Sequence, residues 1–187
     1  ETQNDSFKSV SRYFDRITRP EQILTSLPQA INVMLDPADC GPAVISMSQD
    51  VQGEAYDYPE IFFEEKIHEI RRIHPDPNQI QKAADKLKQS KQPIIISGGG
   101  VLYSEAEEEI SAFAKKHNIP VTATVMGIGC MNKDDPYYIS AIGCLGEGSS
   151  NNLATDTDLA LAVGTKLGDF TTGSWTNFEN ENFQLVS

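Results

Sequence analysis

The sequence predicts an α/β protein, with a three-layer, doubly wound, mostly parallel sheet preceded by the end of another α/β domain. Three observations carry this prediction. Short apolar runs alternate with helix-period segments from Asp76 onward, the ends of four of those runs are rich in glycine, and an earlier helix and strand lack partners to bury their apolar surface.

Taken in order, Glu1 to Val10 offers no strong element. Thr18-Arg19-Pro20-Glu21 reads as a capping box with proline in the first turn, so a helix is expected from Thr18. Ile23, Leu24, Leu27, Ile31, Met34 and Leu35 share one face of it, and Pro28 is expected to kink or loosen it. After the turn Asp36-Pro37-Ala38-Asp39, Pro42 to Met47 reads as a buried strand. One helix and one strand do not complete a core, so residues 1–58 are expected to be the tail of a larger domain. Tyr58 to Asp76, with charged clusters and prolines near both ends, reads as a linker over residues 59–76.

Residues 77–187 are regular. Asp76 can cap a helix with Pro77 in its first turn and Ile80, Ala83, Ala84 and Leu87 on one face. Strands are expected at Pro93–Ser97, Pro120–Val125, Tyr138–Ile142, Asp158–Val163 and Phe183–Val186. Between the first two, Ser104-Glu105-Ala106-Glu107 reads as a second capping box, Ile110, Phe113, Ala114 and His117 as an inner face, and Asn118 as a helix end. Such alternation implies parallel strands with right-handed crossovers. The chain stops at Ser187, in or just after an apolar segment that a covering helix would normally follow, so truncation at both ends is expected.

Composition narrows the function. The formal net charge of -12 argues against sequence-independent binding to nucleic acid or anionic lipid. No apolar run approaches the roughly 20 residues that cross a bilayer, and Glu1-Thr2-Gln3-Asn4-Asp5 is not a basic leader, which makes a cytoplasmic protein the default. Cys40, Cys130 and Cys144 lack CxxC spacing and are expected to be reduced, buried small residues. His68, His74 and His117 form no metal-binding pattern and suit solvated or capping roles. No GxSxG elbow is present, and Glu105, Glu107, Glu108 and Glu109 read as a solvated helix face.

In a doubly wound sheet, ligands sit beyond the carboxyl ends of the strands. All four such ends are glycine-rich: Gly98-Gly99-Gly100, Met126-Gly127-Ile128-Gly129, Gly143 to Gly148, and Gly164-Thr165-Lys166. Glycine there lets a backbone approach a pyrophosphate and aim N–H groups at it. Neither GxGxxG nor GxxxxGK[ST] is matched, so tight βα turns are the simpler account of these residues, with a bound dinucleotide as the alternative.

The order of the segments nevertheless resembles the thiamine-diphosphate (ThDP) enzymes related to acetolactate synthase. "PIIISGGG", "VTATVMGIG", "AIGCLGEGSSNN" and "DLALAVGTKLGDFTTG" look like strands and loops of their central domain. Residues 1–58 look like the end of the preceding pyrimidine-binding domain. Within that superfamily, "SRYFDRITRPEQ" and "SQDVQGEAYDYPEIFF" look most like the trihydroxycyclohexanedione hydrolase family of myo-inositol catabolism, although Ser48 stands where proline is common.

The resemblance implies a Rossmann-like (DHS-like) central domain of the NAD- and FAD-binding shape. It also implies a full-length homo-oligomer that uses ThDP and magnesium to hydrolyse a C–C bond in a cyclic diketone. The activating glutamate would lie upstream and the Gly-Asp-Gly…Asn motif downstream, so this segment alone is expected to be inactive and structural. An acetolactate synthase-like carboligase or decarboxylase fragment and a nucleotide-binding module are the alternatives. Some relatives hold FAD at positions matching Gly98, Gly99, Gly100, Thr124, Val125, Met126, Gly164 and Lys166. Here Leu145 replaces a histidine, and Lys166 and Phe170 replace arginines, so FAD is not expected.

Overall fold

The computed structural model describes residues 3–187, leaving the opening Glu1 and Thr2 outside the described residues. Two compact units are present, Glu1–His74 and Pro75–Ser187.

The first unit begins with a 3-10 helix, Gln3–Val10, followed by β1 (Tyr13–Ile17). A 3-10 turn, Pro20–Gln22, leads into α1 (Ile23–Leu35), then β2 (Ala43–Met47) and the one-turn α2 (Gln49–Gln52). The expected single strand is therefore two, paired in parallel from Tyr13↔Ala43 to Ile17↔Met47. The helix start also differs from the expected box. Gln22, not Glu21, closes it, its side-chain oxygen accepting N–H bonds from Thr18 (2.8 Å) and Arg19 (3.0 Å). Pro28 removes one backbone donor, but α1 remains one helix across it.

The buried stripe of α1 is Ser26 and Ala30, four residues apart, where the helix lies on the strands and the Ser26 hydroxyl donates to the Asp15 carboxylate. Small side chains bring the helix close to the sheet, so Leu27 and Met34, expected on the inner face, stay exposed. In the expected linker only Glu60–Phe62 forms a helical turn. Tyr58 anchors its start, its hydroxyl donating to the Pro20 carbonyl (3.2 Å).

The second unit opens with α3 (Pro77–Gln89), whose Asp76 cap accepts from Asn78 N–H (2.7 Å) and Gln79 N–H (3.3 Å). Then follow β3 (Pro93–Ser97), α4 (Gly99–Tyr103), α5 (Glu107–His117), β4 (Val121–Ala123), β5 (Tyr138–Ala141), α6 (Gly148–Asp156), β6 (Leu159–Val163), α7 (Asp169–Thr172) and β7 (Gln184–Val186). All five strands pair in parallel in the order β5-β4-β3-β6-β7. Alternate residues of β3 feed two cores, one on each face. Ile95 packs with Ile110 and Ala114 of α5, whereas Ile94 and Ile96 pack with Ala154 of α6, which gives the three layers.

Several local expectations give way to packing. Ser104-Glu105-Ala106-Glu107 does not form a capping box: Glu105 adopts a left-handed φ of 52, and Ala106 is the N-cap without a side-chain bond. The preceding turn is already used by α4, which fixes the chain direction before the box could close. Asn118 does end α5 in the left-handed conformation, at φ 54. Phe113 and His117 turn to solvent and touch each other, ring centroids 4.5 Å apart, while Ile110 and Ala114 take the inner face. Ile80 is likewise exposed. Of the cysteines only Cys130 is buried, its loop folding into the core with Ile95 and Val121; Cys40 and Cys144 lie on loops outside the core and are exposed.

Candidate functional site

The chain starts at the middle of the second sheet, moves outward through β4 and β5, and returns to the other side of β3 with β6. The carboxyl ends of β3 and β6 therefore diverge into loops on opposite sides, the place where a doubly wound sheet opens a crevice. A cleft of about 330 Å³ lies there. Gly99, Gly100, Thr124, Val125, Met126, Gly164 and Lys166 all line it, so the structure brings together seven of the expected positions. Gly98 lies behind that lining.

The glycines serve backbone packing first. Gly98 N–H donates to the Val163 carbonyl (2.9 Å) and Gly100 N–H to the Gly164 carbonyl (2.8 Å), which stitches the corner after β3 to the corner after β6. A Cβ on Gly100 would lie 2.6 Å from Gly164 Cα, and one on Gly98 would collide with the Gly164 carbonyl and the Thr165 side chain. Gly164 itself sits at φ 58. Two of the three amides that a bound dinucleotide would need are thus already donating to protein carbonyls, which fits the simpler reading of tight βα corners. Gly99 is different: it starts α4, and a Cβ there would come within 3.2 Å of the Met126 carbonyl.

Sequence reasoning did not single out Tyr103, Thr165 and Thr171, which complete the walls with Ile142, Leu145 and Phe170. Thr165 and Thr171 flank residues that were flagged; Tyr103 reaches the cleft only because α4 is a single helical turn rather than a loop. Behind the floor, the buried Ser97 hydroxyl finds no hydrogen-bond partner. Burial pushes the neighbouring Cys130 thiol above its ordinary pKa.

At the opposite end of the sheet a carboxylate organises two loops. Asp158 accepts from the Ser90 hydroxyl, Lys91 N–H (2.7 Å) and Gln92 N–H (3.1 Å). Partial burial raises its pKa, but these donors outweigh it and hold the carboxyl below its ordinary value.

Residues 80–187 match the family model described as thiamine pyrophosphate enzyme, central domain. The chain belongs to the thiamine pyrophosphate enzymes. Curated relatives extend the similarity through the first unit. The 3D-(3,5/4)-trihydroxycyclohexane-1,2-dione hydrolase of Clostridium tetani is 42% identical over 186 residues, covering 100% of this chain and 29% of the relative. A Bacillus cereus protein described as 3D-(3,5/4)-trihydroxycyclohexane-1,2-dione hydrolase 1 is 42% identical over 184 residues, covering 98% and 29%. The hydrolase of Bacillus thuringiensis is 41% identical over the same length, with the same coverage. The chain thus spans 29% of the length of these relatives.

Among the described residues, no group of three or more His, Cys, Asp or Glu side chains is arranged to hold a metal ion. The central-domain cleft fits FAD poorly, because the Gly98 and Gly100 amides are spent and Lys166 is the one cation among the described residues that line it. No helix among the described residues is long and apolar enough to cross a membrane.

Proposed function

We propose that the chain is the central-domain part of a ThDP-dependent hydrolase that opens the ring of trihydroxycyclohexane-1,2-dione in myo-inositol degradation. The observation that carries this reading is the 42% identity to a hydrolase of that name running across both units of the chain. Residues 1–58 are then the end of the pyrimidine-binding domain, 59–76 a linker and 77–187 the central domain. ThDP, held by other segments of the longer protein, supplies the nucleophilic carbon for C–C cleavage.

The role of these residues is to space and orient the catalytic domains, within a homo-oligomer, around a small cyclic diketone. Membrane and nucleic acid have no part in this reading; the net charge of -12 supports the latter exclusion.

The test compares the 187-residue chain with a longer protein carrying the flanking segments its relatives have. With ThDP and magnesium, the longer protein is expected to consume the diketone and release an open-chain acid, while the chain alone shows no turnover. Acetolactate formation from pyruvate, without diketone consumption, would overturn the assignment in favour of a carboligase.

A further inference from the structure

The switch-point cleft carries apolar surface that its own unit leaves uncovered. Tyr103, Met126, Leu145 and Phe170 line it and are 79%, 67%, 68% and 68% exposed, with Val125 beside them. Single exposed apolar side chains are ordinary, but a set of them around one concavity with a few polar groups is the makeup of a ligand site.

Apart from Tyr103, the polar side chains of the lining are few. Among the described residues, neither the Lys166 ammonium nor the hydroxyls of Thr124, Thr165 and Thr171 meet a hydrogen-bond or ion-pair partner. Thr124 is a buried residue at 5% exposure whose side chain forms part of the cleft lining. Lys166, in a chain of formal net charge -12, marks a local position where an anion is favoured.

We infer that this cleft binds a small monoanion with a flat apolar body, of the class of aromatic or alicyclic carboxylates. One cation balances one negative charge, and the threonine hydroxyls can complete the carboxylate's hydrogen bonds. A diphosphate would need the amides that Gly98 and Gly100 already donate to Val163 and Gly164. A volume of about 330 Å³ stands at the low end for ligand sites, room for a fused ring system rather than a dinucleotide. A polyhydroxylated ring is disfavoured as well, since apolar walls would strip its hydroxyls of water without replacing their partners. The occupant is therefore different in chemical class from the cyclic diketone of the proposed ring opening.

Calorimetric titration of the protein with naphthoate, its neutral analogue naphthamide, and ADP tests the inference. Both side chains to be altered are exposed, and circular dichroism checks the fold of each variant. Naphthoate is expected to bind about fivefold more tightly than naphthamide, the gain of one solvent-facing ion pair. Lys166→Met should abolish that difference and leave naphthamide unchanged, and Phe170→Ala should weaken both ligands alike. Equal affinity for acid and amide, tighter binding of ADP than of naphthoate, or no heat at millimolar naphthoate would each overturn it. The readout is binding, so its failure leaves the ring-opening proposal standing, and the reverse also holds.

Discussion

Gly98-Gly99-Gly100 contains two positions that alanine should affect in opposite degrees. Replacing Gly100 puts a methyl group 2.6 Å from Gly164 Cα and 2.8 Å from the Gly164 carbonyl oxygen. Both obstacles are backbone, held at φ 58 in the corner after β6, and cannot swing aside as a side-chain end would. Overpacking of this kind costs about 1–3 kcal/mol. Separating the corners also strains the Gly98–Val163 and Gly100–Gly164 hydrogen bonds, each contributing about 1 kcal/mol net. Alanine returns at most about 1 kcal/mol through helix propensity in α4. The net loss for Gly100→Ala is therefore about 2–4 kcal/mol. At Gly99 the one tight contact of the new methyl group is the Met126 carbonyl at 3.2 Å, a distance that a shift of a few tenths of an ångström relieves. Gly99→Ala should stay within about 0.5 kcal/mol of the parent, because the propensity gain offsets that shift. Urea unfolding monitored by circular dichroism reads both. Equal stabilities for the two variants, or a larger loss at Gly99, would refute the claim that this triplet is held by corner-to-corner packing.

Asp158→Asn should destabilise the protein by about 1–2 kcal/mol at neutral pH, through weakened bonds to Ser90, Lys91 and Gln92. The carboxyl's folded-state pKa lies below 3.8, so its stabilising effect is complete above that ordinary value and fades as pH falls through the folded-state value. The gap between parent and variant in urea melts should accordingly shrink on acidification, and a constant gap would contradict the linkage. Ser97→Ala removes a buried hydroxyl without a partner and should be neutral or stabilising by up to about 1 kcal/mol in the same melts. A clear loss would mean that the hydroxyl is bonded after all. Under native conditions a thiol reagent should titrate Cys40 and Cys144 but reach Cys130 only on unfolding, since Cys130 is both buried and raised in pKa. Mass spectrometry of the labelled peptides identifies which thiols reacted.

Legibility followed the range of the interactions involved. Strands β3 and β6 were readable because Pro93–Ser97 and Leu159–Val163 are compact apolar runs between turn residues. The caps at Asp76 and Asn118 are single-residue devices and formed as expected. Strand β1 was missed because Tyr13-Phe14-Asp15-Arg16-Ile17 mixes charge into a short run, and its strand state rests on pairing with β2 across the whole of α1. The box at Ser104 failed for a related reason: α4 fixes the direction of the chain before those side chains can reach the helix end. Exposure of Phe113 and Leu27 was equally hidden, since periodicity gives a helix face but not which part of that face a sheet will cover.

By itself, the sequence determined the alternation of strands and helices, the glycine-rich strand ends and the resemblance to ThDP enzymes, because each resides in residues close together along the chain. Only the tertiary structure decided how the glycines are used. The amides of Gly98 and Gly100 are taken by carbonyls at Val163 and Gly164, more than sixty positions away, and that pairing exists only once β6 returns beside β3. The same crossing of the chain sets Lys166 and three threonine side chains among exposed apolar walls, while the glycines serve as the tight βα corners the sequence favoured.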